Sequence, residues 1–175
     1  MYYRLETERL ILRPINMADL ETVHEYASDE DNTRYMIFLP NRTVEETIEF
    51  LTYATKEWEK DSPNGYEFAI TLNGHQIGAI SVTLDETREI AELGWILSKK
   101  HQKQGYALEA ALAIKDFAIE TLKIKKLTAH CDSRNVPSYR LMEKIGMTMI
   151  SDDGIRQYIK RNETAKELTY CLMLQ

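Results

Sequence analysis

Six residues, Gln102-Lys103-Gln104-Gly105-Tyr106-Ala107, restrict this chain more than any other segment. They follow a strand-like stretch at 89–97 and run directly into the apolar stretch 108–114. A glycine and a small residue that open a helix straight after a strand make a site for an anionic group. The first N–H groups of a helix have no intrahelical acceptor, and the helix dipole adds partial positive charge there. A pyrophosphate satisfies both, provided no side chain holds it off the backbone. Further on, Asn135-Val136-Pro137-Ser138 opens a second helical pattern.

Around this segment strands and helices alternate, with no repeat and no low-complexity linker. Residues 10–12, flanked by Arg9 and Arg13, read as a short strand stopped by Pro14. Asn16 is placed to cap a helix carrying Leu20, Val23 and Ala27 on one face, and Asp29-Glu30-Asp31-Asn32 breaks it. Thr43-Val44-Glu45-Glu46 has capping-box spacing, with Val44, Ile48, Leu51, Thr55 and Trp58 following at helical steps. After a turn at Ser62-Pro63-Asn64-Gly65, strands at 67–72 and 76–84 join through the hairpin signal Asn73-Gly74. A third strand covers 89–97, a helix 105–122, a strand 127–131 and a short helix 136–145. That last helix has Pro137 in its first turn and Gly146 at its end. Two more strands, around 156–159 and 168–174, flank a polar turn at Asn162-Glu163. The order β-α-α-β-β-β-α-β-α-β-β predicts one α/β domain over 1–175. Its sheet is mixed and mostly antiparallel, of about seven strands flanked by four helices.

Twenty-eight acidic against twenty-two basic residues give a net charge of −6. That balance lacks the basic footprint of a nucleic-acid binder. It is compatible with a cationic substrate, although many acidic proteins only gain solubility this way. Cys131 and Cys171 sit in strand-like runs, without the ligand number or spacing of a metal site, and read as buried reduced thiols. No apolar signal-peptide core and no run of membrane-spanning length is present, so the expected location is cytoplasmic, with no membrane partner.

The chain resembles the GNAT superfamily of acyl-coenzyme A-dependent N-acetyltransferases. Within it, the chain is similar to the RimJ/RimL-like branch, which includes ribosomal-protein N-terminal acetyltransferases. The superfamily signature Arg/Gln-x-x-Gly-x-Gly/Ala is met at every specified position by Gln102 to Ala107. Glu8-Arg9-Leu10-Ile11-Leu12-Arg13-Pro14 is similar to the branch's first strand, and Glu92-Leu93-Gly94-Trp95 to its fourth. Asn135-x-x-Ser138 with Glu143-Lys144-Ile145-Gly146 matches its last helix, and Arg156-Gln157-Tyr158-Ile159 its closing hairpin.

The resemblance implies acetyl-CoA as cosubstrate, no metal, and a primary amine as acceptor, either a protein N-terminus or a small amine. It assigns the pyrophosphate to Gln102, Lys103, Gln104, Gly105, Tyr106 and Ala107. The pantetheine arm falls to the strand edge at Ile96, Leu97 and Ser98, with Asn135 meeting it from the other side. Glu92 becomes the general base, directly or through a water. Alternation in 89–97 places Ile90, Glu92, Gly94 and Ile96 on one face, and a lone carboxylate among apolar neighbours would hold its proton more tightly. A solvent-facing strand glutamate is the plain alternative.

Many relatives place a tyrosine acid four residues past Ser138, where this chain has Met142. Ser138 is then the expected general acid, with Tyr139 behind it, and helix capping as its structural alternative. His130 and Cys131 point to opposite faces of a strand, so they cannot act as a base–nucleophile pair, and direct transfer is expected. His130 could still face the acceptor side. The acceptor pocket is expected between the first two helices and the last hairpin, lined by 34–40. Asp29, Glu30 and Asp31 are either amine attractors or a solvated loop. An acetyltransferase for a polyamine, amino sugar or antibiotic remains the rival, as does a catalytically idle acyl-CoA-binding module. Exposed last strands of such sheets often pair between chains, so a homodimer is one expectation.

Overall fold

In the computed structural model, which describes residues 2–174, the alternating elements form one sheet flanked by α-helices. Strands β1 (Leu5–Glu6) and β2 (Leu10–Pro14) lead through a 3-10 turn, Met17–Asp19, into helices α1 (Leu20–Ser28) and α2 (Val44–Glu59). A meander follows, made of β3 (Gly65–Leu72), β4 (His75–Leu84) and β5 (Ile90–Leu97). Then come α3 (Tyr106–Glu120), β6 (Lys126–Asp132), α4 (Val136–Lys144) and the hairpin β7 (Thr148–Tyr158) and β8 (Glu163–Met173). The eight strands lie in the order β1-β2-β3-β4-β5-β6-β8-β7, and only β5 and β6 run parallel.

The local signals act as their chemistry requires. Asn73 and Gly74 take positive φ, 51° and 83°, as a two-residue hairpin turn demands. Thr43 and Glu46 close a reciprocal capping box at the start of α2. One face of the sheet carries α3 over a core that includes Phe68, Ile80, Val82, Leu93, Ile114, Phe117 and Leu127. The opposite face carries α1 and α2 over Val23, Tyr26, Leu51, Ala54, Ala69 and Ala79.

Several expectations are corrected. The sheet has an eighth strand, β1, whose two residues are too few to show a pattern. Strand β7 begins at Thr148, far ahead of 156, because its first half lies on an open edge and leaves even Met149 and Ile150 exposed, without an alternating buried pattern to mark it. Asn16 caps the 3-10 turn, with Asp19 completing the box, and α1 starts only after it. On α2, Val44 and Ile48 are exposed, and the buried stripe is Thr47, Leu51, Ala54 and Trp58.

Candidate active site

Strand β5 pairs with β4 along seven residues, from Ala91 to Leu97, but with β6 only from Ile90 to Glu92. Strand β6 continues to Asp132, held on its far side by β8. Past Glu92 the two parallel strands therefore diverge, and the edge of β5 from Leu93 to Leu97 has no strand partner on that side. Backbone donors and acceptors on such an edge need partners, and an extended ligand carrying amides can supply them. Gly78 sets the approach on the other side, since a Cβ there would lie 2.3 Å from the Ile96 carbonyl oxygen.

The glycine loop is tied to the end of this edge. Gln102 donates its side-chain amide to the Leu97 carbonyl at 3.0 Å and to Asn32 Oδ1 at 3.2 Å. Lys103 and Gly105 adopt φ of 61° and 86°, and α3 begins at the next residue. Left-handed positions beside a helix N-terminus turn successive N–H groups toward one point, a ready anion cradle. Sequence reasoning missed Arg9 here. Its guanidinium bonds the Gln104 carbonyl at 3.1 Å and Glu109 at 2.7 Å, and lies over the Tyr106 ring. Glu109 also accepts from the Arg9 N–H and the Thr7 hydroxyl, so α3 is clamped to β2 behind the loop.

Across the opening, α4 starts where β6 ends. Asn135 is its N-cap residue but makes no capping bond with its side chain, leaving that amide for another partner. Ser138 therefore lies in the first turn and does not cap the helix. It is nearly buried, at 9% exposure, with its hydroxyl directed to the Cys131 thiol. Met142, four residues past Ser138, is fully buried in the core.

Glu92 lies on the face bearing α1 and α2, opposite Thr83 and Thr128 in the register. It is exposed, not set among apolar side chains, which corrects the environment expected from the sequence. Alternation along β6 puts His130 on this same face and Cys131 on the other. His130 Nδ1 meets Thr169 Oγ1 at 3.1 Å and stands 3.7 Å from Glu167. Burial pushes the Cys131 thiol up to about 11, so it stays protonated and is no nucleophile near neutral pH. Glu67, also overlooked, lies on the Glu92 face opposite Ser81, and burial pushes its carboxyl up to about 8 against the lowering bond from Ser81.

The segment between α1 and α2 is strapped to the β7–β8 hairpin. Arg161 donates to the carbonyls of Thr33 and Arg34, Arg156 to that of Tyr35, and Lys160 to that of Pro40. Asp29 and Asp31 hold Lys99 at 2.8 and 3.2 Å, and Glu30 lies 3.8 Å from Arg161. The acidic triplet thus braces the glycine loop and the strap.

The sequence pattern of the acetyltransferase (GNAT) domain family matches residues 9–148. The chain belongs to this family. The GNAT chain is 30% identical over 148 residues to the uncharacterized N-acetyltransferase YnaD of Bacillus subtilis, covering 82% of this chain and 81% of that one. A crystal structure of a GNAT-family acetyltransferase from Bacillus anthracis matches with a TM-score of 0.83 at 30% identity, covering 98% of each chain. At lower identity, two structures share the fold. They are a Vibrio cholerae spermidine N-acetyltransferase with CoA and spermine (TM-score 0.81, 17% identity, 95% of this chain and 96% of that one) and a RimL ribosomal L7/L12 alpha-N-protein acetyltransferase with CoA (TM-score 0.85, 14% identity, 98% of each).

As a GNAT N-acetyltransferase, the protein uses acetyl-CoA and acts on an amine. The open edge of β5 and the left-handed turn at Gly105 fit the two halves of that cosubstrate, an amide-bearing arm and a pyrophosphate. Among the described residues, no three His, Cys, Asp or Glu side chains group as a metal site, and no helix is long and apolar enough to cross a membrane.

Proposed function

We propose that the acceptor is the α-amine of a peptide or protein N-terminus, in line with the chain's resemblance to the RimJ/RimL-like branch. The observation that carries this reading is that the carboxylates of the acceptor rim are already paired with cations. The strap from α1–α2 to the hairpin carries Arg156, Lys160 and Arg161, which bond backbone carbonyls and also pair with Glu167, Glu46 and Glu30. The nearby Asp29 and Asp31 are already paired with Lys99. With these carboxylates engaged, the rim has none of them free to hold a polycation, and it tolerates a peptide carrying neutral or acidic residues.

In this reading residues Gln102, Lys103, Gln104, Gly105, Tyr106 and Ala107 hold the pyrophosphate. Ile96, Leu97, Ser98 and Asn135 line the pantetheine arm, and Ser138 protonates the leaving thiolate. Glu92, in open contact with water, draws in and orients the ammonium group. The bound thioester supplies an activated acetyl carbonyl; the chain supplies position, charge and proton transfer.

The test is thiol release from acetyl-CoA with unblocked peptides and with spermidine at equal concentration. Turnover on peptides, with a KM for spermidine that falls when Arg161 is changed to Glu, is the expected result. Efficient turnover of spermidine alone would sink the peptide reading in favour of a polyamine. Binding without turnover on any amine would mark the chain as idle.

A further inference from the structure

Glu67 has no part in the assignments above, yet its placement is unusual for a carboxylate. Its backbone carbonyl accepts from Trp58 Nε1 at 2.9 Å and from the Ile15 N–H at 3.1 Å, which fixes the residue at the end of β3. Its side chain lies on the α1/α2 face, in a cross-strand row made of Glu67 on β3, Ser81 on β4 and Gly94 on β5. Ser81 stands directly opposite Glu67 in the register, and its hydroxyl is near enough to lower the proton affinity of the carboxylate. No salt bridge reaches Glu67 among the described residues.

The far end of that row is the part of β5 that has lost its β6 partner, two residues past Glu92. A Cβ at Gly94 would lie 2.9 Å from Ser81 Oγ, so glycine leaves the space above Ser81 clear. Two strand spacings, about 10 Å, separate Glu67 from the open edge. Ser81 stands midway across that span, and the absence of a side chain at Gly94 leaves room for water to complete it.

We infer that Glu67 is the terminal acceptor of the proton that the acceptor ammonium must shed before it can attack the thioester. The ammonium passes one proton through water and the Ser81 hydroxyl to the Glu67 carboxylate. The freed amine forms the N–C bond as the C–S bond breaks, and the second proton that the nitrogen then loses goes to the departing thiolate, so coenzyme A leaves as the thiol. Division of labour with Glu92 follows: the exposed carboxylate meets the cation, and the half-buried one takes its proton.

The titratable groups around Glu67 leave this role open to it. From α1, Tyr26 is a neutral hydroxyl held by Gln76 Nε2 at 3.0 Å. Asp19 below it is paired with Arg13, and Glu57 of α2 is paired with Lys60. A carboxyl with its affinity near 8 matches the working range of a base that must be reprotonated and emptied in each cycle.

This inference rests on the amine-acetylating reading. Its test is the pH–rate profile at saturating acetyl-CoA with an unblocked peptide, for the native protein and for Glu67→Gln, Ser81→Ala and Glu92→Gln. Glu67→Gln is expected to lower kcat about 100-fold and to erase the limb that rises toward pH 8, with acetyl-CoA affinity retained. Ser81→Ala removes the relay hydroxyl and with it an influence that lowers the Glu67 proton affinity, so kcat falls and the limb moves to higher pH. Glu92→Gln raises KM for the peptide and keeps the limb. A native profile in Glu67→Gln overturns the inference. If that variant does not fold, a native kcat and an unmoved limb in Ser81→Ala overturn it instead. A native protein that binds acetyl-CoA yet acetylates no amine defeats the functional reading itself, an outcome distinct from an active Glu67→Gln.

Discussion

Gln102 reaches back 3.0 Å from its side-chain amide to the carbonyl of Leu97, joining the anion-cradling loop to the last residue of β5. The bond sets the distance between the phosphate end of the site and the strand edge that receives the arm. Its second partner, Asn32, extends the brace to the segment after α1. Replacing Gln102 with Ala removes both bonds and leaves the core untouched. Acetyl-CoA affinity measured by calorimetry should fall about 10-fold, with the melting temperature nearly unchanged. Undiminished affinity would mean that the loop holds its shape without this brace.

Gly78 supports the same edge from behind. An added Cβ would meet the Ile96 carbonyl at 2.3 Å and Leu97 Cδ2 at 2.7 Å, so β4 or β5 must move. Gly78→Ala should cost about 1–3 kcal/mol in denaturant unfolding and also weaken acetyl-CoA binding. Loss of stability with intact affinity would separate the strand from the site.

Asp132 closes β6 where α4 begins. It is fully buried and accepts from Arg134 at 2.7 Å and from the Tyr158 hydroxyl at 2.6 Å. Burial alone would raise its carboxyl, but the Arg134 guanidinium, the Tyr158 hydroxyl and the Arg134 N–H outweigh that and hold it at about 2. A depressed carboxylate contributes stability above its unfolded value, near 4, and loses it as pH falls toward 2. Asp132→Asn should therefore cost on the order of 2 kcal/mol at pH 7, a difference that vanishes below about pH 2.

Glu67 has the opposite sign. Its folded carboxyl is pushed up to about 8 by burial, so between its unfolded value, near 4.5, and pH 8 ionisation favours the unfolded chain. Glu67→Gln is expected to raise the melting temperature, by an amount that grows from pH 4.5 to pH 8 and then levels off. Destabilisation at every pH would indicate a structural role.

The contrast between Glu92 and Glu67 shows how far the sequence could be read. Glu92 was found because strand alternation and the family pattern both point at it, and its face is the expected one. Its exposure depends on how far α1 and α2 cover the sheet, which no local pattern carries. Glu67 was hidden by one residue of register. Unbroken pairing from the turn at Asn73-Gly74, through Leu72 with His75 and Thr71 with Gln76, would set Glu67 opposite Ile80. A bulge between Ile70 and Thr71 moves its partner to Ser81. Gly105 and the helix behind it were legible, because a left-handed turn before α3 follows from glycine chemistry. Arg9 was not, since its contact with Gln104 joins residues far apart in sequence. The acidic run Asp29 to Asp31 read correctly as charge, but its partner Lys99 is a matter of folding.

The central claim is that this site moves an acetyl group from acetyl-CoA to a peptide α-amine. The most direct measurement mixes the protein with acetyl-CoA and a peptide whose N-terminus is either free or chemically blocked, and follows thiol release together with peptide mass. We predict one thiol for each acetylated free N-terminus and none with the blocked peptide. Thiol release that is equal for both peptides, without acetylated product, would contradict the claim.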